Sequence, residues 1–183
     1  FLLVWASGKD INVINNFRTI INRGDQYKYI IPNSETSADW KELSYDDNDW
    51  ENGVSGFGYG DGDDETLIPN GTLSLFLRKR FTLNDISQIK SIILDIDYDD
   101  AFVAYLNGIE IGRKNVGGNP PEYNATPFTD HESKIYRGGR PERITILDFD
   151  GIINSGQNVF SLQAHNISKT SSDFTIIPFL SAK

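Results

Sequence analysis

Apolar side chains take every second position through most of this chain, and clusters of Gly, Asn, Asp and Pro interrupt them at short intervals. A period of two marks a strand with one face buried, because successive side chains point to opposite sides of a sheet. Between Ser91 and Tyr98, the residues Ile92, Leu94, Ile96 and Tyr98 share one face, and Ser91, Ile93, Asp95 and Asp97 share the other. Leu73, Leu75 and Leu77 alternate with Ser74, Phe76 and Arg78 in the same way, and Phe160, Leu162 and Ala164 with Ser161, Gln163 and His165. The run Ala101 to Leu106, then Asn107-Gly108, then Ile109 to Arg113 reads as a hairpin, since Asn-Gly supplies the two positive φ values of a type I′ turn. With Tyr27 to Pro32, Ile144 to Phe149 and Phe174 to Leu180 added, the pattern predicts about eight strands. Short antiparallel strands joined by polar loops bury their apolar faces most readily as two packed layers. The expected fold is therefore an all-β jelly-roll sandwich.

The beginning of the chain reads differently. Phe1 to Trp5 is a short β-prone run, whereas Asp10 to Gly24 is Asn-rich, with apolar residues at Ile11, Ile14, Ile20 and Ile21, and fits either a linker or a short helix. Elsewhere a helical period shows only at Asn84 to Lys90, too short for more than a connecting turn. Residues 1–24 are accordingly expected to be a remnant of a preceding domain or a linker, and residues 25–183 the sandwich module. The length of 183 residues suits one domain with a short flank. An opening in mid-strand without an initiator Met reads as a segment excised from a longer protein.

Composition narrows the partners. Apolar residues make up 38% and aromatics 12%, enough for a core and too much for a disordered chain. Seventeen basic against 26 acidic side chains leave a formal charge of −9, which repels nucleic-acid phosphates and anionic lipid heads. The longest apolar run, Phe1 to Ala6, is far short of the ~20 residues of a membrane-spanning helix. No cysteine is present, so disulfides, thiolate metal sites and a Cys nucleophile are excluded.

The acidic turns are the candidate chemistry. Asp61, Asp63, Asp64 and Glu65 place four carboxylates within five residues, the hard-oxygen density that Ca²⁺ takes when loop carbonyls complete its shell. The loop is not an EF-hand, because Thr66 and Thr72 stand where that motif needs Gly and Glu. A solvated turn is the plainer reading of the same residues. Asp97, Asp99 and Asp100 crowd a strand end; they either cap turn amides, or Asp99 and Asp100 border a sugar or calcium site. Among the aromatics, Trp40 and Trp50 are expected in the core, and Tyr59, set among glycines, is the ring expected to be exposed for stacking on a sugar. Asn107 at the hairpin tip joins Tyr59, Asp99 and Asp100 as a candidate ligand contact.

Catalysis finds little support. Only His131 and His165 are present, neither in a nucleophile or metalloprotease motif, and His165 is expected to bond a nearby group within its strand. A glycosidase would need one acid and one base or nucleophile facing each other across a sugar, and no pair among the 26 acidic residues is singled out. The segment Gly112 to Gly139, rich in Gly, Pro and polar residues, is long enough to be either a functional loop or merely a mobile one.

Several blocks carry a family resemblance. Trp40 to Asp64 (WKELSYDDNDWENGVSGFGYGDGDD), with its two Trp, Asp-rich turn and Gly-rich run, resembles the opening of a galactose-binding-like jelly-roll domain. Phe76 to Phe81 (FLRKRF), Asp97 to Arg113 (DYDDAFVAYLNGIEIGR), His165-Asn166 and Ser171 to Leu180 (SSDFTIIPFL) resemble its later strands in order, so the likeness spans about Asp25 to Lys183. Phe1 to Asp10 (FLLVWASGKD) resembles the last strand of a lamin-tail domain, although Asn12 to Gly24 does not complete one. The resemblance implies a bacterial multidomain parent, secreted or on the cell surface, in which such modules sit beside lamin-tail or spore-coat-kinase-like (CotH-like) domains. The expected function is a monomeric, non-catalytic accessory module that binds carbohydrate or neighbouring domains, with a structural Ca²⁺. The rival readings are a purely structural spacer and a glycoside-hydrolase domain.

Overall fold

Twelve strands realise this alternation in the computed structural model, which describes residues 17–183. One sheet of six strands runs in the order β10 (Glu142–Ile146), β7 (Ile92–Asp99), β12 (Phe174–Ala182), β4 (Phe57–Tyr59), β5 (Thr66–Leu67), and β1 (Arg18–Ile21) also pairs with β12. The second runs β3 (Glu51–Val54), β2 (Gln26–Ile30), β6 (Ser74–Leu83), β11 (Gly156–His165), β8 (Ala101–Leu106), β9 (Ile109–Lys114). Every pairing is antiparallel except β4 with β5. The result is the jelly-roll-like sandwich expected from the sequence.

The inward faces are those the period of two assigned. Ile92, Leu94, Ile96 and Tyr98 of β7 meet Leu75 and Leu77 of β6, Phe102 and Leu106 of β8, and Phe160 and Leu162 of β11 in one continuous core. Burying each such side chain is worth about 1.5–3 kcal/mol relative to exposure, so this layer supplies most of the driving force. At the β8–β9 hairpin, Asn107 and Gly108 both hold positive φ, 49° and 85°, as a type I′ turn requires.

Two expectations change. Residues 18–21 form β1, with Ile21 fully buried and paired to Leu180, so the sandwich includes residues before Asp25, and this part of the supposed linker or helix is a strand. Strands outnumber the expected eight, because β1, β3, β4 and β5 are two to four residues long, too short to show a period. Residues 84–90 contain a turn and no helix, as the short helical period there predicts. The lamin-tail-like run Phe1 to Asp10 lies outside the described residues.

Both outer faces are covered as well. On the second sheet, Phe76, Ala101, Val103 and Tyr105 point away from the main core and form a second cluster with Trp40, Trp50 and Val116. Trp40 and Trp50 are therefore buried, as expected, and stack on each other with centroids 6.1 Å apart. A buried cation fastens this covering segment: Arg78 is 1% exposed, and its Nε donates to Asp47 Oδ2 at 2.7 Å while Nη1 donates to the Trp40 carbonyl. Arg80 Nη1 donates to the other oxygen of Asp47 at 2.9 Å. His165 lies on the same face, where burial lowers its pKa to about 4 and the ring is neutral. The Ala125 backbone lies near enough to the ring to offset part of that lowering, although neither ring nitrogen makes a hydrogen bond of good geometry among the described residues.

Candidate functional site

The outer face of the first sheet gathers the acids. On β7 the outward side chains are Ile93, Asp95, Asp97 and Asp99, since their neighbours point into the core. Register sets Asp99 opposite Thr175 of β12, and Thr175 opposite Gly58 of β4. The loop following β4 folds back over Gly58, bringing a carboxylate oxygen of Asp64 close to that glycine's Cα.

Asp61, Asp63 and Asp64 each offer an oxygen to one locus, with these atoms within 4.8 Å of one another. Asp61 Oδ2 accepts hydrogen bonds from Thr175 Oγ1 at 2.8 Å and Ser133 Oγ at 3.1 Å. The remaining five carboxylate oxygens of the three residues are buried and have no hydrogen-bond partner among the described residues. Arg23 supplies one cation nearby, 3.9 Å from Asp63 and about one-third exposed. Burial, reinforced by the neighbouring carboxylates, pushes Asp63 up to about 6 and Asp64 up to about 7. Glu65 is exposed and stands outside the group, so three of the four residues singled out in this loop converge.

Gly58 is required by this arrangement. A Cβ there would strike the Phe174 carbonyl oxygen and the Asp64 carboxylate. Replacing Gly58 with Ala should therefore destabilise the fold by about 1–3 kcal/mol, read as a lowered urea midpoint with an unchanged slope.

The residues singled out as ligand contacts divide. Asp100 caps turns: Oδ1 accepts from the His131 amide at 2.8 Å and Oδ2 from the Ile167 amide at 2.7 Å. Asp97 accepts the amides of Lys134 and Ile135. Asp99 lies beside Glu132 and Asp173, which offer oxygens within 4.8 Å, and burial raises its pKa to about 8, with Asp100, Asp173 and Glu132 adding to the shift. Tyr59 is not the exposed ring expected. It is 4% exposed because β4 turns it into the core against Phe174, and its hydroxyl accepts from the Gly71 amide and Asn166 Nδ2. Asn107 is likewise engaged internally, donating from Nδ2 to the Ile152 carbonyl and Asn158 Oδ1 while Oδ1 accepts the Val159 amide.

The acidic loop and the Asp99–Asp100 turn thus share one face on either side of Thr175. Sequence reasoning missed Ser133, Thr175, Glu132 and Asp173, which come from segments remote in the chain and carry no motif. Ser133, Lys134 and Ile135 belong to the long segment after β9, which crosses this face as a strap. A separate groove of about 450 Å³ lies at another place on the surface, lined in part by Asn33, Asn70, Thr72, Tyr123, Asn124 and Lys169.

These features define a two-layer β-sandwich with its carboxylates concentrated on one outer face. Solved structures of similar fold include glycosidases. A calcium-binding mutant of Bacteroides uniformis β-glucuronidase 2 matches with a TM-score of 0.56 at 16% identity, over 91% of this chain and 18% of that one. A β-glycosidase from Bacteroides vulgatus matches with a TM-score of 0.53 at 12% identity, over 90% of this chain and 20% of that one. An uncultured Clostridium sp. β-glucuronidase matches with a TM-score of 0.54 at 12% identity, over 91% and 29%. The chain thus spans less than a third of these enzymes, and at such identities the likeness is one of fold. No protein-family model and no curated protein matches the sequence. No helix among the described residues is long and apolar enough to cross a membrane.

Proposed function

We propose that this chain is a non-catalytic accessory β-sandwich module of a larger secreted or cell-surface glycosidase-like protein, clipped by a Ca²⁺ ion held by Asp61, Asp63 and Asp64. The observation that carries the reading is the set of five buried carboxylate oxygens in these residues that no donor satisfies. Burying unpaired carboxylates costs several kcal/mol each, and a hard divalent cation removes that penalty while using the oxygens as ligands. The calcium-binding character in the name of the Bacteroides uniformis relative of this fold supports the same direction. When bound, the ion supplies structural cross-linking of the loop to the sheet.

Carbohydrate is the ligand class this reading favours, and the groove beside Tyr123 is where it would sit. A half-buried ring, exposed amides at Asn70 and Asn124, and the ammonium of Lys169 offer a flat apolar surface with polar groups at its rim. A glycan array probed with the Ca²⁺-loaded chain should show binding that Tyr123→Ala abolishes, with no turnover of aryl glucuronides. Turnover by the isolated chain would replace this reading with the hydrolase. Burial of Tyr59 favours a second reading, a structural spacer, because it removes the ring expected to stack on a sugar. Silence across the array with the Ca²⁺ response intact would establish the spacer.

A further inference from the structure

Residues 79–83 of β6 and 18–20 of β1 line a groove of about 350 Å³, with Asp25 beside them. The lining residues are consecutive, whereas the face of a strand would offer only every second one, so the groove looks onto strand edges. Both edges are open. β2 pairs with β6 only at residues 76–78, and beyond them the side of β6 away from β11 has no strand beside it among the described residues. β1 has β12 on one side and no described strand on the other. No backbone group outside these ladders bonds the main chain of 18–20 or 80–83 among the described residues. Unpaired N–H and C=O groups along such an edge are a template for a further strand. Ile20 and Phe81, both half-buried, give that strand an apolar surface to pack on.

Charge decides what the strand is. Arg18, Lys79 and Arg80 line the groove in a chain whose formal charge is −9. Lys79 stands 3.9 Å from Asp25, and Arg80 shares Asp47 with the buried Arg78, so four cations stand against two carboxylates. A second copy presenting the same edge would set these cations against their own counterparts, which opposes self-pairing. We infer that this groove takes an extended acidic peptide segment of a partner protein, added to β6 as a further strand in line with β2. Backbone bonds along residues 80–83, about 13 Å of strand, supply the affinity, and carboxylates facing Arg18, Lys79 and Arg80 supply the selectivity. The groove shares no residue with the Ca²⁺ clip or with the groove beside Tyr123, and the inference does not depend on either.

Fluorescence anisotropy with a labelled peptide of alternating Val and Glu tests it. The peptide should bind the unaltered chain at least about tenfold more tightly than its Val-Lys counterpart, and Arg18→Glu, at an exposed position, should weaken it by about tenfold. N-methylation of alternate peptide amides keeps every carboxylate and removes the donors along one edge, so one of the two methylated forms should lose binding. Equal binding of the Val-Glu and Val-Lys peptides would overturn the acidic partner. Full binding of both methylated forms would overturn strand addition, and failure of every peptide to bind would overturn the groove as a docking site. A chain that is dimeric in sedimentation velocity until the peptide is added would assign the groove to a second copy and overturn the acidic partner as well.

Discussion

Replacing Asp47 with Ala should lower the stability of the chain by about 3–5 kcal/mol, because it strands the Arg78 guanidinium as an unpaired buried charge. For a domain of this size each kcal/mol moves the melting midpoint by about 2–4 °C, so a fall of about 10 °C is expected in differential scanning calorimetry. Arg80 is also released, but its side chain is 43% exposed and it returns to water at little cost. The control is the double variant Asp47→Ala with Arg78→Met, which removes both charges and should recover much of the loss. A midpoint within 2 °C of the unaltered chain for Asp47→Ala alone would show that water reaches Arg78, and that the covering segment around Trp40 and Trp50 is held by its aromatic contacts alone.

The second large effect concerns Ca²⁺ and pH together. Asp63 and Asp64 have folded pKa values of about 6 and about 7, raised chiefly by burial above the ordinary carboxylate value of 3.8. Raised values mean that the folded state binds these protons more tightly than the unfolded state does. Their contribution is fully present below pH about 4 and is lost as pH rises through 6 and 7. In EDTA the midpoint should therefore carry a downward component between pH 4 and 8. Ca²⁺ competes with the same protons, so the stabilisation it confers should grow over that interval. At a free concentration of about 100 times the dissociation constant it should reach about 2.7 kcal/mol, a rise of about 5 to 10 °C. Equal midpoints in EDTA and in millimolar Ca²⁺ at pH 8 would refute the ion.

Much of the fold was legible because a sheet repeats itself every two residues. Ile92, Leu94, Ile96 and Tyr98 point inward as the alternation required, and Asn107-Gly108 made the turn its conformational preferences favour. Periodicity reports that a face is apolar but not what covers it. The burial of Ala101, Val103 and Tyr105 beneath Trp40 and Trp50 depends on contacts between residues more than fifty positions apart, which no local pattern encodes. Tyr59 was misread for a related reason: flanking glycines suggest an open turn, yet a three-residue strand is enough to aim the ring inward. In the acidic loop, adjacency in sequence carried Asp61, Asp63 and Asp64 into one locus. Glu132 and Asp173 reach Asp99 only through the strap and the start of β12, so their part was hidden until the sheet was assembled.

The strap from His131 to Ile135 has few apolar anchors: among these residues only Ser133 is buried, and its moorings are the His131 ring stacked on Tyr98 and the amides and hydroxyl given to Asp61, Asp97 and Asp100. Its detachment therefore exposes little hydrophobic surface and need not wait for the sandwich to come apart. Backbone protons of Lys134 and Ile135 are expected to trade with deuterated solvent through shallow local fluctuations, while those of β12 beneath them exchange only when the whole domain opens.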